Sequence, residues 1–319
     1  MSSILIKRLR ALVKSSPFAE SLVWRARRLF PNALVFGMTS KEEQRYFRDY
    51  AQTHYTGAGE IVDLGCWLGS TTIPLAKGLV RNPKGSGRHI HAYDLFTWQK
   101  WMDPFLPGCS RKYRVGESFL DEFHIRTRVY ADRVKVYPGD LQRLGWSDGP
   151  IEFLLVDAMK SWDLAASVVE HFFPKLTPRI GVLVHQDFKH YYTSWVHLIQ
   201  YRLRDHFSFE YDVPESGSAA FRLRRPLELD LGWVRDLKSF SDQEIDASFA
   251  WSLSLVGERS APNIAAAKVM HFIHLGRLAD ARRTLGDFTR QKITMDSDLS
   301  VCAQVLAARE KRAEDSVVS

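Results

Sequence analysis

The sequence predicts an α/β fold: a doubly wound, mostly parallel seven-stranded sheet with an N-terminal helical extension and a C-terminal helical appendage. Between residues 60 and 188, short apolar runs of strand length alternate with segments of helical length. That is the pattern of a parallel sheet covered on both faces. Two more strand-like runs, 207–213 and 219–225, are separated by a short polar link and read as a closing hairpin. After residue 225 the alternation stops, and 240–313 reads as helix throughout.

The elements follow in chain order. Residues 4–14 (ILIKRLRALVK) place Leu5, Leu9, Leu12 and Val13 on one helical face and Lys7, Arg10 and Lys14 elsewhere. Such a basic amphipathic helix either lies on an anionic membrane surface or packs on the domain's flank or a partner chain. Residues 40–52 (SKEEQRYFRDYAQ) open on a capping box, Ser40 with Glu43 three residues on. Five strands are expected from EIVDLG (60–65), HIHAYDLF (89–96), VKVYPGD (134–140), IEFLLVDA (151–158) and IGVLVHQDF (180–188). Helices fall at roughly 70–80, 162–175 and 192–206, and FSFEYDV with AAFRLRR complete the sheet. The run NIAAAKVMHFIHLGRLADARRTLGDF reads as a helical hairpin turning at Gly276. It resembles a single tetratricopeptide-type unit, too few for a solenoid, so a docking or dimerising appendage is expected. The divisions are 1–57, 58–225 with an insertion at 97–130, and 226–319.

Composition narrows the function. The net charge is +7, but residues 1–30 hold seven cations (Lys7, Arg8, Arg10, Lys14, Arg25, Arg27, Arg28) against Glu20 alone. The body is thus nearly neutral, and nucleic acid is disfavoured as the partner. No apolar run approaches the roughly 18 residues of a membrane span, and no secretory signal is recognisable. Cys66, Cys109 and Cys302 follow no metal or disulfide spacing. The expected location is cytoplasmic, with residues 1–30 able to touch the inner membrane face reversibly. The apolar surplus in 240–313 points to a homo-oligomer interface.

The chemistry-bearing segment is Asp63-Leu-Gly65-Cys-Trp-Leu-Gly69-Ser70-Thr71-Thr72. An acid ends a strand, two glycines lie four apart, and a hydroxyl-rich helix start follows. Glycines there let a ligand approach the backbone, and a helix N-terminus offers free N–H groups. Pro74 fits the helix's first turn. The segment lacks the Gly-Lys-Ser/Thr of a phosphate-binding loop and the G-x-G-x-x-G spacing of a nicotinamide site. It resembles motif I of class I S-adenosylmethionine-dependent methyltransferases, D/E-x-G-x-x-x-G, which have a Rossmann-like fold. The resemblance implies S-adenosylmethionine binding by Asp63, Gly65, Gly69, Asp94, Gly139 and Asp140. Asp94 would hold the ribose hydroxyls, Gly139-Asp140 would meet the adenine, and Asp157 would face the methyl group and acceptor. An Asp after one strand often only caps the next helix; four acids at four successive strand ends are hard to explain that way.

VDAMKSWD followed by GVLVHQDF narrows the likeness to macrocin-type sugar O-methyltransferases and cephalosporin-hydroxylase-like proteins. Asp157-x-x-Lys160 also matches the spacing of catechol-type O-methyltransferases, where the acid binds magnesium and the lysine acts as base. The second segment departs from both patterns, with His185-Gln186-Asp187 in place of paired acids. Two routes for deprotonating a hydroxyl acceptor therefore stay open. Asp157 and Asp187 hold Mg2+, or His185 or Lys160 acts as a metal-free base. His185 also reads as a buried, hydrogen-bonded strand-end histidine.

The 97–130 insertion carries Trp98, Trp101, Phe105, Tyr113, Phe119, Phe123 and Tyr130 beside Arg111, Lys112 and Arg114. It is expected to form an acceptor lid suited to a sugar or anionic sugar-linked group, or a small core beneath that lid. The resulting expectation is an O-methyltransferase acting on a small-molecule or glycan hydroxyl. The rival is a non-catalytic scaffold that retains cofactor binding.

Overall fold

The computed structural model describes residues 37–291 and 297–318. The basic helix expected at 4–14, and the membrane contact expected of 1–30, lie outside the described residues. All seven expected strands form: β1 (Glu60–Leu64), β2 (Ile90–Asp94), β3 (Val134–Pro138), β4 (Ile151–Val156), β5 (Val182–His185), β6 (Phe207–Asp212) and β7 (Ala219–Leu223). They make one sheet in the order β3-β2-β1-β4-β5-β7-β6. Pairings from β3 to β5 are parallel, and β7 runs antiparallel to both β5 and β6. The order reverses between β1 and β4, which makes the carboxyl ends of those strands the place where such sheets bind ligands.

Helices α1 (Lys41–Asp49), α2 (Thr72–Leu79), α3 (Leu120–Thr127), α4 (Trp162–His171) and α5 (Trp195–Arg202) flank the sheet. The capping box that starts α1 makes both of its bonds: Ser40 N–H donates to Glu43 at 2.7 Å, and Glu43 N–H donates to Ser40 Oγ at 3.1 Å. Strand alternation divides the core. Ile61, Phe153, Leu155, Val182 and Val184 face α1 and α2, while Val62, Leu64, Leu154, Val156 and Leu183 face α4 and α5. The central strands β1, β2, β4 and β5 are buried on both faces, which is why they read as nearly continuous apolar runs; the edge strands β3 and β6 are not.

Glu152 is the exception within β4. It is fully buried, and its carboxylate accepts the N–H groups of Ala58 at 2.8 Å and of Thr56 at 2.5 Å. It thereby ties the loop entering β1 to the centre of the sheet.

Beyond residue 240 the chain forms α6 (Asp242–Leu255), α7 (Ala261–His274), α8 (Leu278–Arg290) and α9 (Ser297–Val318). Gly276 turns α7 into α8 with a φ of +71°. The apolar surplus that suggested an oligomer interface is largely consumed within the chain. Phe249, Ile264, Val269, Ala281 and Phe288 join the same core as Leu183 and Phe221 of the sheet. Polar ties cross the same seam: His197 Nδ1 lies 3.0 Å from Ser252 Oγ, and Arg202 holds Glu244 at 2.6 Å. Among the described residues no helix is long and apolar enough to cross a membrane.

Candidate functional site

The loop from β1 into α2 folds around residues held at positive φ: Gly65 at +86°, Trp67 at +41° and Gly69 at +83°. A Cβ on Gly65 would lie 2.7 Å from the Asp157 carbonyl oxygen, so β1 and β4 approach here as only glycine permits. Trp67, an L residue in the left-handed region, is held there by a specific partner. Its N–H donates to Asp94 Oδ2 at 2.9 Å, while Asp94 Oδ1 accepts the N–H of Phe96 at 2.8 Å. Phe96 itself has a φ of +51°. One carboxylate at the end of β2 thus fixes two strained backbones, the kind of arrangement that clusters at functional sites.

These loops wall a cleft of about 240 Å³ at the carboxyl edge of the sheet. It is lined by Gly65, Asp94, Gly139, Asp140, Asp157 and Lys160, so six of the ten residues singled out in the sequence meet in one place. The other four stand behind it. Asp63 is fully buried and accepts the hydroxyls of Thr71 at 2.8 Å and Thr72 at 2.6 Å. Burial pushes its carboxyl up to about 6 against those two bonds. Gly69 faces Thr127 and Phe123 of α3, so it seats the motif loop on the insertion. His185 is sealed in the core, 3.2 Å from Gln200, and burial lowers its ring to about 4. It is a neutral structural histidine, and the catalytic role considered for it is corrected. Asp187 lies just outside the lining and reaches the cleft only through Lys160.

The Asp157–Asp187 pair also corrects the metal expectation. The Lys160 ammonium sits between the two carboxylates, donating to Asp157 Oδ1 at 2.6 Å and to Asp187 Oδ2. Burial would lower this lysine, but the two acids outweigh it and hold the ammonium protonated. Lys160 is therefore no base in this arrangement. Among the described residues no group of three or more His, Cys, Asp or Glu could hold a metal ion. Mg2+ can be held by as few as two carboxylates with waters, but here the ammonium takes the space between Asp157 and Asp187 that the ion would need.

The site does fit an adenosyl ligand. A carboxylate offers about four lone-pair sites, and Asp94 spends only part of them on backbone N–H groups, leaving capacity for sugar hydroxyls. Asp140 Oδ1 accepts the Gln142 N–H at 2.9 Å and keeps its other oxygen. The indole Nε1 of Trp67 is buried with no hydrogen-bond partner among the described residues, a donor that a ligand in the cleft could satisfy.

The insertion divides between a buried core and one wall of the cleft. Trp98, Tyr113, Phe119 and Phe123 form a buried core with Phe96. Trp101 stays 51% exposed at the cleft and packs 5.6 Å from Trp67, which meets Phe105 edge-on at 4.7 Å. Tyr130 packs on the α1–α2 side of the sheet. The three cations do not serve the cleft: Arg111 is taken by Glu117 and Asp121, and neither Lys112 nor Arg114 lines it. Sequence reasoning missed Trp67, Leu95, Thr97 and Gln99, which line the cleft. Their signal was adjacency, inside the glycine motif or directly after Asp94.

Asp63 provides a test of the loop's stability. Thr72→Val removes one of two hydroxyl donors from a fully buried carboxylate, so unfolding in urea should show a loss of about 1.5 kcal/mol. An unchanged stability would mean that the 2.6 Å bond contributes nothing to the fold.

No protein-family profile matches the chain, and no curated protein matches it. Among solved structures it is similar to the calicheamicin methyltransferase CalS11, at 14% identity and a TM-score of 0.45, over 68% of this chain and 90% of that one. An apo structure of CalS11, described as a TDP-rhamnose 3'-O-methyltransferase of calicheamicin biosynthesis, gives 14%, 0.46, 68% and 91%. The CcbJ methyltransferase of Streptomyces caelestis gives 14% identity and a TM-score of 0.32, over 55% of this chain and 62% of that one. At these values the likeness is one of overall layout and nothing finer.

Proposed function

We propose that this chain is an S-adenosylmethionine-dependent O-methyltransferase acting on a hydroxyl of a sugar, glycan or glycosylated natural product. The observation that carries the reading is the convergence of Gly65, Asp94, Gly139, Asp140 and Asp157 on one cleft at the sheet's switch point. These residues lie on separate strand-end loops up to 92 positions apart, and capping of neighbouring helices does not require them to share a cavity. The half-exposed ring of Trp101 gives the mouth an aromatic face of the sort that sugars stack on. Trp67 and Met102 continue that apolar wall.

S-adenosylmethionine, when bound, supplies an electrophilic methyl group on a sulfonium. The protein's share is orientation, exclusion of water and acceptance of a proton. In this reading Asp157 carries out the last task. Burial and the neighbouring Asp187 raise its carboxyl above the usual range, while Lys160 pulls it back, which makes it a stronger base than an ordinary aspartate. Its Oδ1 is bonded to Lys160. Oδ2 would take the acceptor's hydroxyl proton as the O–CH3 bond forms, and the electrons of the broken C–S bond would pass to sulfur.

Calorimetric titration with S-adenosylhomocysteine tests the reading directly. Saturable binding is expected, weakened by Asp94→Ala roughly 10- to 100-fold through loss of a charge-assisted hydrogen bond. Failure of the folded protein to bind ligand up to about 1 mM would remove the cofactor, and with it the enzyme. Methyl transfer from labelled donor to a hydroxyl-bearing extract distinguishes an enzyme from a cofactor-binding scaffold.

A further inference from the structure

The cluster where β4 and β5 end contains a charge arrangement that a metal-dependent methyltransferase would not need. Asp157 follows β4 and Asp187 follows β5, two strands paired in parallel with Val156 opposite His185. That register brings both carboxylates to one point on the cleft wall, and their side chains are only 18% and 20% exposed. Two partly buried like charges so close need a counter-charge. Lys160 supplies it from three residues beyond Asp157.

We propose that the Lys160 ammonium is the resident cation of this site. It stands where a divalent ion would have to stand, so acceptor binding and methyl transfer proceed without a metal, and Lys160 is a positioning residue that keeps Asp157 turned to the cleft. The inference rests on the methyltransferase reading for its purpose, but its physical claim concerns only the lysine and the two carboxylates.

The geometry supports this at three points. Nζ contacts one oxygen of each acid, which is how a bridging cation would be shared. A lysine ammonium offers three donors, so after two carboxylate bonds one N–H is left for an acceptor oxygen in the cleft that Lys160 lines. A compact, strongly hydrated ammonium also tolerates the half-exposed position, where its side chain is 50% accessible. Gln186, which stands where the notable metal-binding patterns carry an acid, contributes no charge of its own. Its amide oxygen is buried without a partner among the described residues.

The test uses Mn2+ as the probe and reads binding and melting, not turnover. Wild type is expected to show no saturable Mn2+ binding by electron paramagnetic resonance up to about 10 mM and an unchanged melting temperature with EDTA. Lys160→Met leaves the carboxylate pair uncompensated. It is expected to melt several degrees lower, to gain saturable Mn2+ binding, and to recover most of the lost melting temperature when Mn2+ is added. Lys160→Met with Asp187→Asn is expected to recover without metal and not to bind Mn2+. Should Lys160→Met fold only with added Mn2+, that rescue is itself the expected gain. Saturable Mn2+ binding to wild type that is lost in Asp157→Asn overturns the proposal, as does a Lys160→Met protein that neither binds Mn2+ nor is rescued by it. S-adenosylhomocysteine titration of the same wild-type sample reports separately on the cofactor reading.

Discussion

Gly65→Ala is expected to cost about 3–5 kcal/mol of stability and to abolish ligand binding in the cleft. Two penalties add. The residue has a φ of +86°, where an L side chain costs roughly 1–2 kcal/mol. The new methyl would also sit 2.7 Å from the Asp157 carbonyl oxygen and 2.9 Å from its carbonyl carbon. Those are backbone atoms of β4's end, held by the Asp157 N–H that donates to Leu64 O at 2.8 Å. They cannot swing aside as a side-chain tip would. Relief requires β1 and β4 to separate where Asp157 is aimed into the cleft, so fold and site suffer together. Gly87→Ala is the control, because Gly87 has a similar φ of +72° but nothing within 4 Å of the added methyl. It should lose only about 1 kcal/mol. Urea unfolding of both variants decides the point, and equal losses would show that the close approach at Gly65 carries no weight.

Much of this architecture was legible in the sequence because the sheet is covered on both faces. Burial on both faces gives IEFLLV and VLVH the mostly apolar character of interior strands, and acids just beyond their ends punctuate them. The same coverage decided His185 for the buried, hydrogen-bonded strand-end histidine that was one of its two readings in the sequence. Residues on an interior strand alternate between two buried faces, so the strand end looks open in sequence while both faces are closed in space. Glu152 shows the limit more sharply. An acid inside IEFLLV breaks the pattern, and its partners at 56–59 are more than 90 residues away, so no local rule could supply them. Lys160 was half legible. Its spacing from Asp157 brought it to notice as a base, but the second carboxylate comes from 27 positions away through the pairing of β4 with β5. That second contact turns a candidate base into a fixed cation. The insertion divided as it did because apolar rings facing α3 could be buried, whereas Trp101 had only the cleft to face.

The second large effect expected is acid lability centred on the seam between the sheet and the C-terminal helices. His197 of α5 is fully buried. Its Nδ1 lies 3.0 Å from Ser252 Oγ of α6, its Nε2 has no partner among the described residues, and its ring packs 4.8 Å from Phe188 and 4.9 Å from Phe249. Burial pushes it down to about 3, helped by His185 and His271. His271 of α7 is likewise lowered to about 3 by burial, with His274 and Arg277 contributing, and His185 to about 4. A folded-state pKa below the unfolded value of about 6.5 means that the unfolded chain takes up more protons, so stability is full above that value and falls as pH drops. At pH 5 each ring should cost about 2 kcal/mol, and the three together about 6 kcal/mol. The buried carboxyls of Asp63 and Asp157 run the other way. Their folded pKa values are raised, so they lose stability as pH rises and regain it on acidification. The net fall between about pH 7.5 and 5 is expected to be about 2–4 kcal/mol, a large share of a typical domain's 5–15 kcal/mol. Urea unfolding of wild type and His197→Leu at both pH values isolates one ring. The substitution fills the site with an apolar side chain, and the difference between the two proteins should shift by about 2 kcal/mol towards the variant at the lower pH. A difference that stays constant with pH would mean that this ring takes no part in the acid transition. The ring's position explains what such a transition would release. His197 and His271 stand on α5 and α7 with Phe249 of α6 between them, so protonation would first part the C-terminal helices from the sheet.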